Sequence, residues 1–315
     1  MPRLHRSRRL ASVLDAIGNT PAVRLDRIGA SVPGVEIYLK LEFANPGGSV
    51  KDRPAARMVQ HAIETGAFSD DKILIDATSG NTGVAYSLIG AALGFRVQLI
   101  MPANVTRARK DIARAFGTQL TFSSPMEGSD GAIVKVRQIV KENPDKYFYC
   151  DQYSNAQNPM AHYLGTGQEI LDAFGDRITH FVAGLGTSGT VMGTTRRLHE
   201  HTRKIHCVAV EPAEALHGLE GLKHMESSIK PGIYDPHVPD EILPVGTDEG
   251  WDMTDRLASE EGLHVGHSTG ANVRGALKIA ERLQRENREG CVVAIACDRG
   301  DRYFAPMKWE KRYTW

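Results

Sequence analysis

Apolar runs alternate with segments of helical period along nearly the whole chain. The strand-like runs are Val35 to Leu41, Lys72 to Asp76, Arg96 to Ile100, Gln119 to Phe122, Tyr147 to Cys150, His180 to Ala183, Ile205 to Val210 and Val292 to Ala296. Helical patterns lie between most of them: Asp52 to Thr65, Thr82 to Leu93, Ala108 to Phe116, Asp130 to Asn143, Ala161 to Phe174, Val191 to His199, Trp251 to Glu261 and Ala271 to Glu286. This alternation predicts an α/β protein with mostly parallel sheets covered on both faces. Ligands in such sheets bind beyond the carboxyl ends of strands. The Gly-rich segments of this chain fall at such positions, and no repeats or low-complexity stretches interrupt the pattern.

Three of these segments carry candidate chemistry. The first is Asn45-Pro46-Gly47-Gly48-Ser49-Val50-Lys51-Asp52-Arg53. A Pro-Gly-Gly turn lets the backbone approach a neighbour closely. Lys51 then stands where a helix begins, and the helix dipole and Arg53 disfavour its ammonium form. A neutral lysine amine attacks aldehydes, pyridoxal phosphate among them. The plainer reading of such a lysine is a solvated surface charge.

The second segment, Ala77-Thr78-Ser79-Gly80-Asn81-Thr82-Gly83, joins a buried strand to an Ala/Leu-rich helix. Hydroxyls and free N–H groups at a helix start suit a carboxylate or a phosphate, and equally suit an ordinary capped turn. The third, Gly184-Leu185-Gly186-Thr187-Ser188-Gly189-Thr190, also follows a strand. Its Gly184-x-Gly186-x-x-Gly189 spacing admits a dinucleotide, with Glu211 as the acidic partner. Its hydroxyls fit a terminal phosphate monoester better.

Taken with Gly266-His267-Ser268-Thr269-Gly270 and Ile17-Gly18-Asn19-Thr20-Pro21, these segments resemble fold type II (β-family, tryptophan synthase β-like) pyridoxal phosphate enzymes. Within that family the wording resembles the cysteine synthase and cystathionine β-synthase group, over nearly the whole chain. The resemblance implies that Lys51 holds the cofactor as a Schiff base and moves the substrate α-proton. It implies Asn81 at the cofactor 3′-oxygen and Gly186, Thr187, Ser188, Gly189 and Thr190 around its phosphate. Ser268 would face the pyridine nitrogen, where a neutral hydroxyl makes a weaker electron sink than a carboxylate. Thr78, Ser79, Thr82 and Gln152 would bind the substrate carboxylate. His267 departs from the family wording and is expected to point away from the cofactor.

The implied reaction is β-replacement on an activated L-serine, O-acetylserine or O-phosphoserine, with sulfide to give L-cysteine. Cystathionine β-synthase activity on serine and homocysteine is the alternative, and a family member acting as a partner-binding scaffold is a third. The stretch after Glu211-Pro212 resembles an O-phosphoserine-using branch, in which Lys223 would meet the substrate phosphate; a surface lysine is the competing reading. The family also implies a smaller mobile lobe over residues 40–150, with 1–39 and 151–315 forming the larger lobe. A homodimer follows from the resemblance, as does a serine acetyltransferase or sulfur-carrier protein as partner.

Composition agrees without adding detail. The 315 residues are 41% hydrophobic and 24% charged, with 38 basic and 38 acidic side chains. That balance gives no reason to expect nucleic acid. No apolar run approaches a membrane span, and Arg3, Arg6, Arg8 and Arg9 precede no apolar stretch, which reads as a solvated terminus. Cys150, Cys207 and Cys291 lie in or beside apolar runs, as buried thiols of a reducing cytoplasm would. The 12 histidines show no ligand spacing, so no metal is expected. Trp309, Tyr313 and Trp315 suggest packing against a neighbouring subunit or lobe.

Overall fold

The computed structural model describes residues 9–78, 80–105 and 107–303. The chain runs β1 (Ala22–Arg24), α1 (Asp26–Gly29), β2 (Val35–Leu41), α2 (Asp52–Glu64), β3 (Ile73–Ala77), α3 (Asn81–Leu93), β4 (Val97–Pro102), α4 (Arg107–Ala115), β5 (Gln119–Ser123), α5 (Gly128–Glu142) and β6 (Tyr147–Tyr149). It continues through α6 (Gln157–Ala161), α7 (Gln168–Phe174), β7 (His180–Gly184), α8 (Gly189–His201), β8 (His206–Pro212), β9 (Glu241–Val245), α9 (Thr247–Glu261), α10 (His267–Arg285) and β10 (Gly290–Ala296).

Two sheets result. The smaller has the order β5-β4-β3-β6 and is parallel throughout. The larger has the order β1-β2-β10-β7-β8-β9, with β1 alone antiparallel to its neighbour. Both are covered on two faces, as the near-continuous apolar runs require. One face of the large sheet packs on α9 and α10 through Met253, Leu257, Val273 and Ile279, the other on α7 and α8 through Ile170, Val191 and Leu198. The small sheet packs on α2 and α3 on one side and α5 on the other. Helix α3 is buried from Thr82 to Gly90, which explains why its sequence lacks a polar face.

All eight expected strands form. Two further strands lie at sheet edges, where the sequence signal is weak. β1 has only 3 residues. β9 alternates in burial and holds Pro244, a residue tolerated on an edge because one side of an edge strand needs no ladder donor. The helix expected over Ala161 to Phe174 is interrupted by a π-helical turn at His162–Gly167, between α6 and α7. Helix α10 begins at His267, four residues before the apolar periodicity starts at Ala271. Ser268 therefore sits in the first turn of a helix. No helix among the described residues is long and apolar enough to cross a membrane. The C-terminal aromatics Trp309, Tyr313 and Trp315 lie outside the described residues, as do the arginines before Arg9.

Candidate active site

A cavity of about 520 Å³ opens between the two sheets and takes residues from both. Lys51 lines it from the residue before α2. The turn leading there is fixed by Val50 N–H donating to Cys297 O at 2.8 Å and Lys51 N–H to Ser49 Oγ at 3.2 Å. Gly47 donates its N–H to Asp52 Oδ2 at 2.5 Å. A Cβ at Gly47 would collide with that carboxylate. The close approach signalled by Pro-Gly-Gly is thus made by the chain's own Asp52.

The Lys51 amine is held below its ordinary pKa, mainly by burial, while Cys297 and Asp298 pull the other way. The sequence pointed to Arg53 as a cause, and the structure corrects this. Arg53 is committed elsewhere, with Nε 2.5 Å from Glu42 Oε2 and Nη1 2.6 Å from Glu169 Oε1. Lys40 joins the same buried network, 2.7 Å from Glu169 Oε2. These charges brace the start of α2 and so the placement of Lys51.

The turn between β7 and α8 forms an anion cradle. Ser188 takes a left-handed φ of 71° and makes no cap bond. It is buried, and its Oγ has no hydrogen-bond partner. Thr187 Oγ1 accepts from Asn158 Nδ2 at 3.1 Å, and Thr190 Oγ1 lies 3.3 Å from His162 Nε2. A Cβ on Gly186 would strike the Gly221 carbonyl, so that position keeps the cradle open. Unsatisfied N–H groups at a helix start, an orphaned buried hydroxyl and a missing side chain together fit a terminal phosphate. Gly186, Thr187, Ser188 and Thr190 line the cavity. Gly189 does not line it: it is pressed against the Asn158 side chain. Glu211, which a dinucleotide would need, instead accepts the Met225 amide at 2.6 Å.

The turn between β3 and α3 proves to be both a capped turn and a cavity wall. Thr78 Oγ1 accepts from Gly80 and Gly83 N–H groups at 3.2 Å each. Thr82 Oγ1 donates to Gln152 Oε1 at 2.8 Å, and Gln152 Nε2 donates to Ala77 O at 2.7 Å. Thr78, Thr82 and Gln152 all reach the cavity; Ser79 lies outside the described residues. Asn81 Nδ2 donates to Asp298 Oδ2 at 2.6 Å, and its Oδ1 accepts from Arg302. Ser268 is buried at the wall beside Cys297. Burial pushes the Cys297 thiol up to about 11, against the pull of Lys51 and the Ser268 hydroxyl.

His267 stacks between Trp251 and Tyr303, with centroid distances of 5.1 and 4.9 Å. Its Nδ1 is buried without a partner, so only its ring faces are satisfied locally. Lys223 is not a surface lysine. Its side chain is 11% exposed, and Nζ lies 2.8 Å from Asp130 Oδ1 on α5. Arg109 on α4 makes a matching bridge of 2.7 Å to Glu220 and sits over the Tyr303 ring. Sequence reading missed Arg109, Asp130, Glu220 and Tyr303, which line the cavity. Arg109 and Asp130 are charged helix residues with no local sign that tertiary folding will turn them inward, and Glu220 and Tyr303 come from a turn and a short 3-10 helix distant in sequence.

Among the described residues, His199, Cys207 and Asp240 bring ligand-type atoms within 4.8 Å of one another. Arg203 Nη1 donates to His199 Nδ1 at 2.9 Å, which leaves the proton on Nε2, 3.0 Å from Asp240 Oδ2. Both ring nitrogens are therefore engaged within the protein.

Comparison with known proteins agrees with this geometry. The family model for "Pyridoxal-phosphate dependent enzyme" matches residues 13–298. The cysteine synthase of Aquifex aeolicus is 47% identical over 93% of this chain and 90% of its own length. Cysteine synthase B of Escherichia coli is 38% identical over 94% of this chain and 95% of its own. A crystal structure of the cysteine synthase of Entamoeba histolytica superposes with a TM-score of 0.91 at 35% identity, covering 98% of this chain and 94% of that one. With a family match of this extent and a lysine, an anion cradle and a hydroxyl-rich turn in one cavity, the chain belongs to the pyridoxal-phosphate dependent enzymes.

Proposed function

We propose that this protein makes L-cysteine by β-replacement on an activated L-serine, with sulfide as the incoming nucleophile. The observation that carries this reading is the convergence of Lys51, the Gly186–Thr190 cradle and the Thr78/Thr82/Gln152 turn on one cavity. The cysteine synthases it resembles support the choice of reaction. Bound pyridoxal phosphate would supply the electron sink that loosens the substrate α-proton and expels the β-substituent.

The residues of the chain supply the rest. Lys51, kept less basic by burial, anchors the cofactor and carries the proton at the substrate α-carbon. Ser188, Thr187, Thr190 and the amides at the start of α8 hold the phosphate, with Gly189 contributing backbone alone. Asn81 and Ser268 would hold the ring, where the neutral Ser268 hydroxyl would leave the pyridine nitrogen unprotonated. Thr78, Ser79, Thr82 and Gln152 take the α-carboxylate. Closure of a lobe spanning residues 40–150 onto 1–39 and 151–315 would exclude water; the bridges Arg109–Glu220 and Lys223–Asp130 across the rim support that reading.

The activated serine is O-acetylserine or O-phosphoserine. Lys223 favours the phosphate ester, because it is a cation at the cavity wall that an anionic ester could draw from Asp130. The enzyme is taken to act as a cytoplasmic homodimer, which light scattering checks. A serine acetyltransferase or sulfur-carrier partner rests on the family likeness. The deciding experiment compares rates with O-acetylserine, O-phosphoserine and serine, each with sulfide and with homocysteine. Cysteine formation from an activated serine is expected. Preferential use of homocysteine would replace the reading by a cystathionine β-synthase. Inactivity in every pairing would leave the scaffold role.

A further inference from the structure

Behind the carboxylate-type turn lies a buried acid that the reaction above does not use. Asp76, next to the last residue of β3, is fully buried. Its Oδ2 accepts from Tyr86 Oη at 2.8 Å and from the Gln152 amide at 3.1 Å. Its Oδ1 accepts from the Ala77 amide at 2.8 Å. Each donor belongs to a piece that feeds the cavity. Ala77 precedes Thr78. Tyr86 stands one turn along α3 from Thr82. Gln152 itself reaches the wall.

We propose that Asp76 is a positioning residue for the amino-acid carboxylate site, clamping β3, α3 and the Gln152 loop into one register. This rests on the reading of Thr78, Thr82 and Gln152 as that site. A carboxylate suits the post, because an ionised acid only accepts and here meets three donors. A protonated acid would turn one oxygen into a donor facing a donor. Burial pushes Asp76 up to about 7. The titratable groups around it are Tyr86 from α3, Tyr149 from β6, and Cys150, Asp151 and Tyr153 from the loop beyond. Arg137 of α5 faces Tyr149. Burial holds the three tyrosines and Cys150 above their ordinary values, so they stay neutral near pH 7. The clamp is therefore half formed near pH 7, complete well above it and released as pH falls through that value.

The test uses the purified, cofactor-loaded protein with Asp76→Asn and Tyr86→Phe. Affinity for L-serine is read from the change in cofactor absorbance across pH 5.5 to 8.5, a range placed about the expected titration. Asp76→Asn should bind L-serine about tenfold more weakly, the order expected for a lost hydrogen bond to a charged group. It should keep its cofactor and lose only the extra weakening below about pH 7, leaving the steady slope set by deprotonating the serine ammonium. Tyr86→Phe should bind about threefold more weakly. Its limb should move to higher pH, because one bond favouring the charged form is gone. Wild-type affinity and pH dependence in either folded variant would overturn the proposal. If Asp76→Asn does not fold, Tyr86→Phe decides it. Hydrogen exchange at the Gln152 amide needs no cofactor: unchanged protection in the variants would also overturn the clamp. A colourless protein would instead count against the cofactor reading.

Discussion

The floor and the rim of the cavity are held by different forces. The floor is backbone: the Gly186–Thr190 turn, the turn between β3 and α3 and the first turn of α10, each at a helix start, with Thr78, Thr82, Thr187, Ser188 and Ser268 buried. Its geometry is fixed by positions where a Cβ cannot fit and by hydroxyls that satisfy nearby amides. The rim is side chain: Arg109–Glu220 and Lys223–Asp130, two ion pairs spanning from α4 and α5 to the segment after β8. Glu220 is 49% exposed and Asp130 34%, so each pair is partly screened. A backbone floor has one conformation, whereas rim pairs can exchange partners with an anionic substrate. Under the proposed function, catalysis and cofactor retention fall to the floor and substrate choice to the rim.

The largest expected effect lies at Lys51, which lines the same cavity as the floor from the residue before α2. With Lys51 as the proposed cofactor anchor and proton carrier, Lys51→Ala should lower turnover by several orders of magnitude. The protein should lose the absorbance of covalently held cofactor. Full colour and activity in that variant would end the comparison.

Next comes the rim. Lys223→Ala should lower kcat/KM for O-phosphoserine by about 1.5–3 kcal/mol and leave O-acetylserine nearly unchanged. Equal losses on both esters would mean that Lys223 serves only to hold Asp130 and the loop. Gly186→Ala tests the floor without touching chemistry. The added methyl meets the Gly221 carbonyl, a backbone atom with no rotamer to relieve the clash. Such overpacking costs about 1–3 kcal/mol, expected as weaker pyridoxal phosphate binding in a spectroscopic titration. Unchanged affinity would show that the cradle can widen.

The smallest effect is expected for Glu220→Gln. An exposed partner makes the Arg109 bridge worth about 0–1 kcal/mol. Substrate KM should shift modestly, and the shift should shrink in added salt. A large, salt-independent loss would move Arg109 and Glu220 from the rim to the catalytic floor.

Much of the site could be read along the chain because its parts are local. A strand, a Gly-rich turn and a helix start are contiguous, so hydroxyls and amides that meet in space are also neighbours in sequence. Thr78 with Gly80 and Gly83 needs no distant contact to form. Boundaries slipped where local pattern and packing disagree. Ala271 opens the apolar period of α10, yet the helix starts at His267. β9 is not among the expected strands: Glu241 and Pro244 interrupt its apolar pattern, and pairing with β8 makes it a strand.

Hydrophobic period and turn chemistry act over a few residues, so an α/β chain of parallel strands, the lysine at a helix start and two hydroxyl-rich anion-type turns are legible along the chain, while the split into a phosphate and a carboxylate turn came from the family resemblance. Only the tertiary structure decided why Lys51 is less basic, that Lys223 faces Asp130, that Arg109 reaches Glu220, and that Asp76 meets Gln152. Those depend on burial and on pairs far apart in the chain, 93 residues apart for Lys223 and Asp130 and 76 for Asp76 and Gln152. Charge acts through space and desolvation through depth, and neither is written in the neighbours of a residue.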